Sequence, residues 1–291
     1  MSTTSTTTSP DEIKQLVKAK YGEIANNEPS ASSCCGGKNG GGCCGDGTPP
    51  TPKTCCGDGV SNLMADDYKD VKGYNPDADL GLGCGLPTKF AKIKVGDTVL
   101  DLGSGAGNDC FVARSETGPT GKVIGVDFTP SMIERARKNA ARRGYDNVEF
   151  LEGDIEQLPI KEDNLIDVVV SNCVLNLVPN KGAVFKEIMR VLKPGGHFSV
   201  SDIVLEGELP DRVRSVAELY AGCIAGAMQM NDYLALIPAS GFTNVMVQKK
   251  KPIIVPDDLL EKHLSKEDLA AFKASNTGIY SISVYAEKPL I

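Results

Sequence analysis

The sequence predicts an α/β protein built on a Rossmann-like, doubly wound parallel sheet. Three observations carry that prediction. From about residue 95 onward short apolar strands alternate with helical stretches, the pattern of a sheet covered on both faces. The first strand runs directly into a glycine loop, Gly103-Ser104-Gly105-Ala106-Gly107. Acidic residues, Asp127 and Asp154, end the next two strands.

The elements follow in order. Strands are expected at 98–102, 122–127, 148–151, 166–171 and 197–204, with 166–171 almost continuously apolar as a buried strand should be. Helices are expected at 130–143 and 183–192, the second stopped by Lys193-Pro194-Gly195-Gly196. Beyond the fifth strand, helices at 211–228 and 231–239 precede strand pieces at 245–248 and 253–255. An acidic helical stretch at 257–273 and a strand at 280–286 complete the chain, so a C-terminal hairpin should close the sheet.

Upstream, residues 11–25 read as a short amphipathic helix with Ile13, Leu16, Val17 and Ile24 near helical spacing. Residues 26–62 change composition sharply. They are dense in Gly, Pro, Ser and Cys and carry three doublets, Cys34-Cys35, Cys43-Cys44 and Cys55-Cys56. Such a stretch buries little apolar surface, and it reads equally as a flexible linker or as a tether for a soft metal. The division is therefore an N-terminal helix with a Cys/Gly-rich segment (1–62), a ligand-binding core (63–205) and a helical and β extension (206–291).

Composition narrows the function. The 291-residue chain carries a formal charge of −7 and no Trp. With no extended basic stripe, nucleic acid is not expected as a partner, since its affinity rests on neutralised phosphates. No apolar run reaches the roughly 20 residues of a membrane span, and residues 1–9 lack the apolar core of a secretory signal. A cytoplasmic location follows as the expectation, with the ten cysteines read as thiols in a reducing compartment.

The glycine loop is of the kind that lets backbone approach a ligand. Its third glycine falls one position early for the dinucleotide pattern, and the tighter loop suits the amino-acid part of S-adenosylmethionine. Asp127, about 20 residues on, is placed to accept from ribose hydroxyls. Asp154 could meet the adenine amino group, with Phe128 and Ile155 packing on the ring. As simple helix caps, Asp127 and Asp154 would need no ligand; two acids in register with the loop favour the site. The expected cofactor set is Asp101, Gly103, Ser104, Gly105, Gly107, Asp127, Phe128, Asp154, Ile155, Glu156 and Asn172.

Three single cysteines lie around this loop. Cys173 follows the fourth strand, at the sheet edge where such folds bind ligands. Cys84 sits in the turn Gly81-Leu82-Gly83-Cys84-Gly85-Leu86-Pro87, and Cys223 among small residues in Tyr220-Ala221-Gly222-Cys223-Ile224. Taken singly each is an ordinary small buried hydrophobe, which is the reading given to Cys110. Together they suit a soft acceptor such as trivalent arsenic or antimony. Its lone pair can take a methyl group with no proton removed first, in keeping with only two histidines, neither in a persuasive motif.

On the segments Asp79-Leu80-Gly81-Leu82-Gly83-Cys84-Gly85, Ser171-Asn172-Cys173-Val174-Leu175-Asn176-Leu177 and Leu219-Tyr220-Ala221-Gly222-Cys223, with the glycine loop, the chain resembles the arsenite S-adenosylmethionine methyltransferases. The resemblance implies the class I methyltransferase fold and methylation of arsenite or its thiol adducts to mono- and dimethylated products. It implies Cys173 and Cys223 as the arsenic-holding pair. Cys84 would be the third ligand, or would form a disulfide with Cys173 that returns electrons to oxidised arsenic. A reductant, glutathione or thioredoxin, goes with such exchange. Cys55 or Cys56 would match a further upstream cysteine of the family. Two rivals remain: a methyltransferase for a small organic acceptor, and a metal-binding protein that works through its cysteine doublets.

Overall fold

The computed structural model describes residues 9–26, 68–220, 224, 226–275 and 277–291. The three cysteine doublets and Cys223 lie outside the described residues.

Five parallel strands form the body of the sheet: β1 (Thr98–Leu102), β2 (Lys122–Asp127), β3 (Val148–Glu152), β4 (Ile166–Asn172) and β5 (Leu192–Glu206). Their order is β3-β2-β1-β4-β5, so the winding reverses between β1 and β4 and leaves a crevice at their C-terminal ends. The inner strands are apolar on both faces because helices cover both. Val99, Leu100 and Leu102 of β1 and Val168, Val169 and Val170 of β4 are fully buried. Gly125 of β2 supplies a needed gap, since a Cβ there would lie 2.8 Å from the Cys110 sulfur and 2.7 Å from the Phe150 ring.

The helices on this body are α1 (Pro10–Asn26), α2 (Pro87–Phe90), α3 (Asn108–Thr117), α4 (Pro130–Arg142) and α5 (Lys181–Val191). The last begins with the Asn180 side chain accepting from the Ala183 amide, the usual polar N-cap. Beyond β5 come α6 (Asp211–Tyr220), β6 (Met228–Gln229), α7 (Met230–Ala239), β7 (Thr243–Pro252), α8 (Asp257–Leu260), α9 (Lys266–Ala274) and β8 (Gly278–Glu287). β8 runs antiparallel to β5 over ten paired residues, from His197↔Glu287 to Glu206↔Gly278, and β7 lies antiparallel outside it. The expected C-terminal hairpin is thus present and inserted beside β5.

Four expectations need correcting. Helix α6 is described over Asp211–Tyr220, and Met228, expected as its last residue, instead pairs with Val204 in a short parallel strand. The piece at 245–248 belongs to a longer bulged strand, β7, while 253–255 lies beyond its end at Pro252, with the Ile253 amide still donating to the Ile279 carbonyl at 2.8 Å. The acidic stretch is two helices with His263 in the turn between them. In α1, Leu16 is 66% exposed. The side of that helix lining the cleft carries Val17, as expected, with Lys14 and Tyr21 at the spacing of one helical face.

A second apolar cluster lies beyond the C-terminal ends of β4 and β5. Leu209, Val213, Leu260, Leu264 and Leu269 of the extension close over Ile203 and Leu205, and Cys84 and Cys173 are part of the same cluster. The extension therefore packs an apolar cluster next to the crevice.

Candidate active site

A cleft with about 1090 Å³ of empty space opens at the point where the strand order reverses. Nine of the eleven expected cofactor residues line it: Asp101, Gly103, Ser104, Gly105, Asp127, Phe128, Asp154, Ile155 and Asn172. Glu156 does not line it, and neither does Gly107. Its φ is +98° and a Cβ there would meet the Phe150 and Phe111 rings at 2.8 and 3.0 Å, so its task is close packing of α3 on the sheet. Glu156 binds Lys14 of α1 and accepts from the Asn180 amide at 2.7 Å.

Each glycine of the lining has its own reason. Gly103 has a φ of +69°, and a Cβ there would sit 2.4 Å from Val174. Gly105 has a φ of +52° and nothing within 4 Å of the Cβ position, so its backbone faces open space where a ligand can approach closely. The Ser104 hydroxyl is buried, lines the cleft and has no partner. A buried orphan hydroxyl aimed into a cleft is a group waiting for a ligand.

Carboxyls dominate the wall: Asp79, Asp101, Asp109, Asp127 and Asp154 all line it. Burial pushes Asp101 well above the usual carboxylate range, and neighbouring Asp109 adds to the effect. The Cys110 thiol donates to Asp101 at 3.2 Å, and Cys110 is fully buried, as its apolar setting predicts. Asp109 is raised by burial to about 6, although Tyr68 and Asn172 donate to it. Asp127 is raised by burial too, against the amides of Gly105 and Thr129 that it accepts at 3.0 and 2.8 Å. Lys14 in the lining is paired with Asp154, and the open backbone of Gly105, the orphan Ser104 hydroxyl and the carboxyl of Asp127 suit the amino-acid and ribose parts of S-adenosylmethionine.

Helix α1 covers the cleft, which the sequence reading did not foresee. Lys14 donates to Asp154 at 2.6 Å and also pairs with Glu156. Ser9 and Glu12 form a reciprocal capping box: the Ser9 amide donates to Glu12 at 2.7 Å and the Glu12 amide to the Ser9 hydroxyl at 3.3 Å. That Ser-Pro-Asp-Glu signature was readable in the sequence, while the cleft contact of the helix was not.

The structure brings Cys84 and Cys173 into one apolar cluster, and of the two Cys173 lines the cleft. Cys84 is fully buried and Cys173 is 3% exposed. Cys173 lines the cleft in the left-handed region, with a φ of +62°, and its amide donates to the Ser201 carbonyl at 2.7 Å. A non-glycine residue held there stores about 1–2 kcal/mol. Cys84 is fixed by backbone: its carbonyl accepts from the Ser281 hydroxyl at 2.6 Å and its amide donates to the Asn172 side chain at 3.0 Å. Cys223 is not described, but its neighbour Ile224 is buried in the cluster that contains both thiols.

Four residues next to this site, Tyr68, Asp109, Asp202 and Tyr233, escaped the sequence reading. Tyr68 donates to Asp109 at 2.8 Å. Asp202, fully buried on β5, is raised by burial to about 7, with Lys181 opposing that rise. Tyr233 donates to Asp202 at 3.4 Å. Only Asp109 left a signal, as an acid in the first turn of the helix after the glycine loop. Neither histidine lines the cleft; His197 contacts the Ala91 carbonyl and stacks near Tyr285.

With this geometry in place, comparison with known proteins is decisive. A family profile described as "Methyltransferase domain" matches residues 93–252. The crystal structure of an arsenic(III) S-adenosylmethionine methyltransferase from Chlamydomonas reinhardtii superposes with a TM-score of 0.61 at 36% identity, covering 79% of this chain and 73% of that one. The chain belongs to the arsenite methyltransferase family. Curated members include the arsenite methyltransferase of Halobacterium salinarum, 43% identical over 83% of this chain and 60% of that protein. That of Homo sapiens is 36% identical over 62% of this chain and 52% of that protein. The chain thus spans between about half and three fifths of these curated arsenite methyltransferases. No helix among the described residues is long and apolar enough to cross a membrane.

Proposed function

We propose that the protein methylates trivalent arsenic, presented as arsenite or its thiol adducts, with S-adenosylmethionine as donor. The products are mono- and dimethylated arsenicals, and the role is arsenic detoxification. The observation that supports this reading is that two buried thiols, Cys84 and Cys173, share one apolar cluster beside the cofactor cleft, with Cys173 lining that cleft. Membership of the arsenite methyltransferase family supports it independently.

Gly103 and Gly105 give the donor a close backbone approach, Ser104 an unsatisfied hydroxyl, and Asp127 a carboxyl for its ribose. S-adenosylmethionine, when bound, supplies an electrophilic methyl group on a sulfonium. Cys84, Cys173 and Cys223 hold arsenic as a thiolate pyramid, an arrangement soft ligands favour. That pyramid leaves the lone pair of arsenic free, so no general base is needed. Positioning of this kind can contribute on the order of 7–11 kcal/mol in favourable cases. Each transfer oxidises arsenic by two electrons. Cys84 and Cys173 can return them by becoming a disulfide, which glutathione or thioredoxin then reduces.

The test is to incubate the protein with arsenite, S-adenosylmethionine and glutathione and separate arsenic species by mass spectrometry. Mono- and dimethylated arsenic are expected. Turnover of an organic acceptor with none of arsenite would overturn the reading.

A further inference from the structure

The Asn172 side chain is the hub of a buried hydrogen-bond system that reaches from the cofactor cleft to the Cys84 loop. Its Oδ1 accepts from the amides of Cys84 and Gly85 at 3.0 and 3.2 Å. Its Nδ2 donates to the Tyr68 hydroxyl oxygen at 2.7 Å and to the Gly85 carbonyl at 2.8 Å, with Asp109 Oδ2 alongside at 3.2 Å. Tyr68 in turn donates to Asp109 Oδ1 at 2.8 Å. The loop lies so close that a Cβ on Gly83 would sit 2.7 Å from Asn172 Nδ2, and one on Gly85 2.6 Å from the Ser201 hydroxyl.

Chemistry restricts this position to an amide. Two backbone amides need an acceptor, while a phenol oxygen and a carbonyl need donors, and one planar amide offers both. A carboxylate would accept but not donate, and it would set a second negative charge beside buried Asp109. A hydroxyl cannot reach both sides. The same donors and acceptors fix which way the amide points.

We propose that Asn172 is a positioning residue for Cys84, holding the loop that carries this thiol and tying it through Tyr68 to Asp109 in the cleft wall. This goes beyond the cofactor contact expected of Asn172 and rests on the reading of Cys84 as an arsenic ligand. Because Asp109 and Asn172 both line the cleft, whatever orders that wall also orders Cys84. Donor binding and arsenic binding are then coupled, and by linkage the coupling is reciprocal.

Tyr68→Phe is the cleanest variant, since it keeps the ring packed near Tyr74 and removes only the hydroxyl. Asn172→Asp tests the donors. The first readout is the rate at which iodoacetamide alkylates Cys84 with neither donor nor arsenite present, followed by peptide mass spectrometry. Fully buried Cys110 serves as the internal reference. Labelling of Cys84 relative to Cys110 should rise about 5- to 30-fold in both variants, the equivalent of one or two lost buried hydrogen bonds. The second readout is kinetic: in Tyr68→Phe the KM for arsenite should rise about as much, with the KM for S-adenosylmethionine within about twofold of wild type. Unchanged Cys84 labelling in a folded Tyr68→Phe protein would overturn the proposal, as would wild-type behaviour of Asn172→Asp. Labelling involves no arsenic, so failure of the wild-type chain to methylate arsenite would count against the function and leave the positioning role standing.

Discussion

Cys173 shows how much a single residue's conformation can say. It combines a thiol, near-complete burial and a left-handed backbone, and packing alone would sooner place a glycine there. At an ordinary buried site Ala is more stable than Gly; here the order should invert. Cys173→Gly is expected to be about 1 kcal/mol more stable than Cys173→Ala in urea unfolding, and both should be inactive on arsenite. A protein with Ala the more stable would show the site to be unstrained. Both thiols were visible in the sequence as cysteines in unusual contexts. The φ of Cys173 was not, because β4 ends in contacts made with β5, a strand some twenty residues downstream. Asn172 was likewise legible as a site residue. Its grip on the Cys84 loop joins positions 88 residues apart and leaves no local trace.

At the scale of elements, the sequence resolved what local period and glycine content decide. β1, β2, the glycine loop and α4 stand within a residue of expectation. Its misses share a physical origin: at Met228 and along β7, tertiary pairing overrides the local pattern, as when Met228 joins β5 rather than continuing a helix. Helix α1 was foreseen as a helix but not as the cover of the cleft. It fully buries only Ala25 and is otherwise held by Lys14 on Asp154 and Glu156 and by Arg135 donating to the Ala25 carbonyl at 3.2 Å. So loosely anchored an element should contribute to ligand retention far more than to global stability. Val17→Asp, a charge on the cleft-facing side, is expected to weaken S-adenosylmethionine binding about tenfold in calorimetry while leaving the melting midpoint within about 2 °C. Equal losses in both would make α1 part of the core.

The whole molecule carries an acidic surplus, and several of its acids are buried where they resist ionisation. Asp109 and Asp202 are raised from the model-compound value of 3.8 to about 6 and about 7. A carboxyl raised on folding binds more protons in the native state, so its contribution is present below the unfolded pKa and is lost as pH climbs through the folded one. Stability should therefore decline between about pH 4 and pH 7, by at most about 1.4 kcal/mol per unit for each carboxyl. Asp202 faces Lys181 and Tyr233. Asp202→Asn, which keeps the contact to the Ile203 amide, should flatten the decline seen in urea unfolding at stepped pH; an unaltered slope would rule Asp202 out as its source. At the same scale, a donor cleft lies beside an apolar cluster that holds both thiols. The most direct test of that pairing is a single-turnover measurement with excess protein preloaded with S-adenosylmethionine and mixed with glutathione-complexed arsenite, for wild type, Cys84→Ser and Cys173→Ser. The account predicts methylated arsenic from wild type and at least a hundredfold slower transfer in Cys173→Ser, with donor affinity unchanged in both variants. Transfer at wild-type rate in Cys173→Ser would contradict it.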